Sequence, residues 1–208
     1  MVKRNLKDNT RKTKNRKRRK LIVIGAEGSN VTEATYFKHF GTKDIEIKMA
    51  TGNSTDPVGI VSDTVKMVKN RAIDIQHNDV AVYCVFDTDA DSAKCDQIRK
   101  SIELAKKYGI NVITSTPCFE NWFLCHYELT TAPMDNKNVI GKLKKHIKKY
   151  DKNMDVYPII NSFTEKAVEN AKKQCEYHIQ QGNNIKSPNA NPATEVYEII
   201  EYIWDKCI

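Results

Sequence analysis

Acidic residues occur in two short stretches whose composition and spacing suit metal chemistry. Gly25-Ala26-Glu27-Gly28-Ser29-Asn30 offers one acid, Glu27, between glycines that let the backbone turn tightly. Phe86-Asp87-Thr88-Asp89-Ala90-Asp91 carries acids at alternating positions. Two carboxylates two residues apart at a strand end can converge on one cation. Magnesium is held by a few such groups while keeping waters and substrate phosphate oxygens in its other positions. Glu27, Asp87, Asp89 and Asp91 are therefore the expected ligands of Mg²⁺ or Mn²⁺. The bland alternative makes Glu27 an exposed loop acid and the aspartates a helix N-cap cluster, with Asp91 or Ser92 as the cap. A cap needs one acid and not three, and gathered like charges repel unless a cation neutralises them. On the same argument, Asp89→Asn is expected to relieve repulsion in the metal-free protein.

The elements that must position these acids follow from hydropathy. The β-branched run Leu21–Gly25 reads as a strand, and Ala34, Phe37 and Phe40 recur at helical spacing within Val31–Phe40. Ile45–Met49 alternates as a half-exposed strand, and Pro57 opens a helix with Val58, Val61, Val65 and Val68 on its apolar side. Val80–Phe86 is continuously apolar, as a strand covered on both faces should be. Ile98, Ile102 and Ala105 mark the next helix, which Gly109 closes, and Ile110–Thr114 is the fourth strand. Strand and helix alternate, which predicts a mostly parallel four-stranded sheet flanked by helices, an α/β fold. In such a sheet ligands bind where the chain leaves the carboxyl ends of the strands, and both acidic stretches fall there. From Pro117 the pattern turns helical: Phe119–Leu129, Val139–Tyr150 with a dense lysine face, Ser162–Gln181 and Ala193–Cys207. A loop rich in Asn and Pro spans Gly182–Pro192.

The chain has 208 residues, room for one domain with appendages. No apolar run approaches the roughly 20 residues of a membrane span, and Leu21–Gly25 is too short for a secretory core, so a cytoplasmic protein with no membrane partner is expected. The six cysteines form no C-x-x-C pair and read as reduced core thiols, with no framework for zinc. The net charge of +8 is uneven: residues 1–20 hold eleven Lys or Arg against one Asp, and the remainder holds 23 basic and 25 acidic residues. Residues 1–19 therefore read as a disordered basic arm. Arg11, Lys12, Lys14, Arg16, Lys17, Arg18, Arg19 and Lys20 are candidates for contact with a nucleic-acid backbone, against the plain alternative of a solubilising tail.

These stretches resemble the Toprim domain, the metal-binding core of topoisomerases, DnaG-type primases and OLD-family nucleases, which pairs a Glu after its first strand with Asp-x-Asp after its third. Glu27, Asp87 and Asp89 match those positions, and Asp91 matches a third acid of some members. More closely, the chain resembles RloB-like proteins, which also appear as abortive-infection proteins in bacterial defence loci. The matching residues are Glu27-Gly28 with Thr32-Glu33-x-x-Tyr36-Phe37, and Phe86-Asp87-Thr88-Asp89. They continue with Pro117-x-Phe119-Glu120-x-Trp122-x-Leu124-x-His126 and Asn191-Pro192-Ala193-Thr194. Ala26 stands where the family often has Cys, beside an unchanged carboxylate. The resemblance implies a single domain over 20–208, with a Toprim-like core at about 20–116 and a helical part at about 117–208. It also implies a partner AAA- or ABC-type ATPase encoded nearby, and the chain has no G-x-x-x-x-G-K-[ST] stretch of its own. A homo-oligomer is compatible with the sequence.

The expected activity is metal-dependent phosphodiester hydrolysis of DNA or RNA, with Glu27 as ligand or general base and Asp87 and Asp89 as ligands. Glu120 follows a Pro-x-Phe turn near a helix N-terminus and is expected to reach the metal or orient a water. His126 lies four residues after Trp122 and reads equally as a packed histidine or a catalytic one. Two other functions compete. One is a non-catalytic nucleic-acid-binding subunit. The other is a haloacid-dehalogenase-type phosphatase, whose first Asp attacks phosphorus, but whose motif normally sits on the first strand and has Thr or Val where Asp91 stands.

Overall fold

The computed structural model describes residues 18–27, 31–50 and 52–207. Most of the basic arm, including Arg11, Lys12, Lys14, Arg16 and Lys17, lies outside them, as do Gly28, Ser29 and Asn30 of the first acidic stretch. The elements run β1 (Lys20–Gly25), α1 (Val31–Phe37), β2 (Ile45–Met49), α2 (Pro57–Asn70), β3 (Val80–Asp87), α3 (Cys95–Lys107) and β4 (Asn111–Thr116). They continue as α4 (Glu120–Cys125), α5 (Asn136–His146), α6 (Tyr157–Ile160), α7 (Thr164–Gln180), β5 (Ala193–Thr194) and α8 (Val196–Cys207).

The sheet has five strands in the order β2-β1-β3-β4-β5, which corrects the expected four. The first four are parallel, and β5 joins the edge antiparallel to β4, pairing Ser115 with Thr194 and Thr116 with Ala193. A strand of two residues has no period to detect, so the chain before α8 reads as helix until the pairing is seen. Strand β3 is central, and its alternate side chains enter two cores. Tyr83 and Val85 face Ile22, Ile24 and Ile113, with α1, α4, α7 and α8 packed over them. Val82, Cys84 and Phe86 face Val23 and Val112, under α2 and α3. The result is a three-layer α/β arrangement.

Local rules place the ends of these elements. Asp56 caps α2 by accepting from the Gly59 N–H, and Pro57 fills the first helical turn. Gly109, at φ +67°, ends α3, with Ile110 N–H bonded back to Ala105 C=O. Gly25 is required by close approach: a Cβ there would stand 2.0 Å from Thr64 Oγ1 of α2. That contact fixes where β1 stops and where the chain turns toward Glu27.

Four of the five cysteines with described side chains are buried, as expected, whereas Cys95 is exposed at the start of α3; all five are free. Among the described residues, no helix is long and apolar enough to cross a membrane.

Candidate metal centre at the carboxyl edge

Asp87 is the last residue of β3, and the strand carries it to the carboxyl edge beside Ser115 of β4. Its Oδ1 is buried and accepts no hydrogen bond. Burial pushes this carboxyl well above the usual carboxylate range, and the nearby charges of Glu33, Glu120, Asp89 and Glu27, in that order of effect, push it further. Four acids therefore act on Asp87 at this edge. Glu27 and Asp89 are two of them, alongside Glu120 and a residue that the reading of the sequence did not single out as a site residue, Glu33.

Glu33 is 2% exposed on α1. Glu120 opens α4, is also 2% exposed, and accepts a hydrogen bond from the Tyr150 hydroxyl at 3.2 Å. Lys152 Nζ lies 3.7 Å from the same Oε1. The charges of Glu120, Cys118, Asp87 and Glu33 raise the Lys152 ammonium above its ordinary range, so it is held charged over the cluster. The Cys118 thiol is pushed well up by burial and by Glu120 and Asp87. Tyr150 and Lys152 belong to the loop after α5, which is tied to α1 where Thr32 Oγ1 donates to Lys152 C=O at 2.8 Å. No local pattern marks either residue, because chain segments about 120 residues apart make the contact.

Asp89 stands differently from Asp87. Its N–H donates to Pro117 C=O, and Thr88 N–H donates to Ser115 C=O, so the loop after β3 is laid on the loop after β4. Asp89 and Ala90 both take φ +52°, a left-handed conformation that L-residues adopt at a cost. The Asp89 carboxylate pairs with Lys94 and accepts from Asn136 Nδ2 at 3.1 Å. Burial acts to raise its titration, but Lys94 and Asn136 outweigh burial and the carboxyl titrates below the usual range. Repulsion is therefore felt most at Asp87, and the Asp89 charge contributes to it, so Asp89→Asn would remove that contribution while losing a favourable contact. Asn in its place gives up an ion pair.

Asp91 takes the capping role: its carboxylate accepts from Ala93 N–H at 2.9 Å, ahead of the 3₁₀ turn Ser92–Lys94. His126 is packed, 0% exposed, its Nδ1–H donating to Trp122 C=O at 3.0 Å, and burial lowers its pKa to about 4. At the other end of the sheet, Arg19 donates to the carbonyls of Thr42 and Lys43, and Lys20 to that of Lys206, so these two bind the fold itself; Arg18 is exposed.

The donor set suits a hard cation, since carboxylate oxygens dominate it and one of them is buried without a partner. As the side chains stand, no group of three or more His, Cys, Asp or Glu residues among the described residues is disposed to hold a metal ion. At Asp89 the positive charge comes from Lys94.

A mostly parallel α/β sheet with an acidic centre at its carboxyl edge is the class of protein that this fold and site define. The family described as RloB-like protein matches residues 22–203, and the chain belongs to that family. No curated protein and no solved structure matches it.

Proposed function

We propose that the protein is a Toprim-type, Mg²⁺- or Mn²⁺-dependent nuclease that hydrolyses phosphodiester bonds. The observation that carries this reading is the buried, unpartnered Asp87 oxygen amid four further carboxylates. A buried carboxylate oxygen without a donor, with like charges around it, is expected where charge is placed to receive a cation. Asp87, Glu27 and Asp89 would hold the metal, Asp89 by exchanging Lys94 for it. A bound divalent ion supplies an activated water and neutralises charge developing on phosphorus and the leaving oxygen. Glu120, held by Tyr150 and Lys152, is positioned to orient a water or accept its proton. Lys152, kept charged, is positioned to meet a non-bridging phosphate oxygen.

The family resemblance adds a setting: bacterial anti-phage defence or restriction, with ATP-driven steps assigned to a separate AAA- or ABC-type ATPase. The test is incubation of purified protein with single- and double-stranded DNA and RNA, with Mg²⁺, Mn²⁺ or EDTA, beside Glu27→Ala. Metal-dependent cleavage that Glu27→Ala abolishes is expected, together with a metal-dependent rise in melting temperature that Asp87→Asn removes. Binding of nucleic acid without turnover in any metal would favour the non-catalytic subunit.

A further inference from the structure

We infer that helix α5 and the loop after it form a nucleic-acid-binding ridge that leads a sugar–phosphate backbone into the acidic centre. The inference rests on the nuclease reading for the identity of that centre, and its own evidence is separate. Helix α5 buries Val139 and Leu143, and Ile147 and Tyr150 continue that side. Lys137, Lys144, Lys145, Lys148 and Lys149 stand exposed on the rest. Among the described residues no carboxylate lies within ion-pair distance of any of these five, whereas Lys142 pairs with Glu128 at 2.7 Å. Both ends of the segment touch the acidic centre, through Asn136 on Asp89 and Lys152 on Glu120. Eleven helical residues span about 16 Å, so the charges extend outward from the site over several phosphates.

Two residues on this segment run against local stability. Gly141 occupies the helix interior, where glycine costs about 1 kcal/mol relative to alanine. A Cβ there would meet nothing within 4 Å, so no packing within the chain requires glycine. It shares its side of the helix with Lys137, Lys144 and Lys145, at spacings of three and four. Lys149 has φ +65°, a conformation that favours glycine or asparagine. Glycine stands where the helix wants a side chain, and lysine where the turn wants glycine. Close approach of a ligand backbone explains the first, and a phosphate contact explains the second.

The test is equilibrium binding of the full chain to labelled single-stranded DNA, RNA and duplex DNA, in EDTA across a salt series, so that cleavage plays no part. Lys144→Gln/Lys145→Gln/Lys148→Gln should weaken binding at least tenfold at low salt and reduce the slope of log affinity against log salt by about 2 to 3 on duplex. A matched triple on α3, Lys100→Gln/Lys106→Gln/Lys107→Gln, should leave both nearly unchanged. Gly141→Gln and Lys149→Gly should each raise the melting temperature and weaken binding several-fold. The inference is overturned if the parent chain does not bind, if both triples weaken binding equally, or if it binds phosphatidylserine vesicles as tightly as nucleic acid. Failure of the cleavage test with these shifts intact would remove the nuclease and leave the ridge.

Discussion

Asp87 and Glu195 are both acids of the same sheet, one at the end of β3 and the other just past β5, and they are treated in opposite ways. Glu195 is 5% exposed, and its carboxylate accepts from Thr114 N–H at 3.0 Å, Thr114 Oγ1 at 2.9 Å and Lys186 Nζ at 2.7 Å. Lys186 also donates to Val112 C=O, so one lysine ties the loop before β5 to both strand and acid. Asp87 has a buried oxygen with no donor and four acids for neighbours. A satisfied buried charge is structure; an unsatisfied one among like charges marks a place where folding is spent on something else. The contrast between the two acids stands without reference to motif.

The sharpest way to break the comparison is to neutralise both acids. Asp87→Asn should lower metal-dependent cleavage by at least about 10³-fold, equivalent to about 4 kcal/mol of barrier, while raising the melting temperature of the metal-free protein. A folded Asp87→Asn protein that cleaves at the parent rate, or that melts lower without metal, would place Asp87 with the structural acids. Glu195→Ala should cost about 3 kcal/mol by denaturant unfolding, because Lys186 and the Thr114 N–H lose their acceptor, and the folded fraction should cleave normally.

Acid titration would blur this contrast unless His126 is accounted for. Its pKa in the fold is about 4, below the ordinary 6.5, because burial disfavours the imidazolium. The unfolded chain therefore takes the proton first as pH falls. Its contribution is complete above about pH 6.5 and is lost progressively toward pH 4, roughly 3 kcal/mol in all. His126→Gln should flatten that part of the stability profile. An unchanged profile would show that another group controls acid unfolding.

How much of this was legible in the sequence follows the reach of each signal. β3 is continuous because both faces are covered, and β2 runs over the expected Ile45–Met49. Helix ends were less legible: Phe119–Leu129 shrinks to Glu120–Cys125, and Val139–Tyr150 starts at Asn136 and ends at His146. β5 escaped because its pairing depends on Ser115, 79 residues away, whose hydroxyl meets that of Thr194 at 2.8 Å. Glu33 escaped as a site residue because an acid in the first turn of a helix is ordinarily a solvated, dipole-favoured residue. Only the fold turns it inward.

Glu120 lies between the two extremes, and the smallest predicted effect decides where it belongs. It is as buried as Glu195, yet it has one hydroxyl donor at 3.2 Å and one lysine at 3.7 Å, and it raises the titration of Asp87. Tyr150→Phe removes the hydroxyl and keeps the ring in the core it shares with Phe123. Since 3.2 Å is long for an O–H···O bond, the stability loss should sit near the low end, about 1 kcal/mol. If Glu120 acts on the reaction, loss of its positioning donor should also reduce cleavage by about tenfold or more, as loss of such supporting contacts does around metal sites. Glu120→Gln should then abolish most activity, and the double variant should be no worse than Glu120→Gln alone. A Tyr150→Phe protein that loses its 1 kcal/mol and cleaves at the parent rate would instead put Glu120 beside Glu195, as an acid that holds the loop after α5 in place.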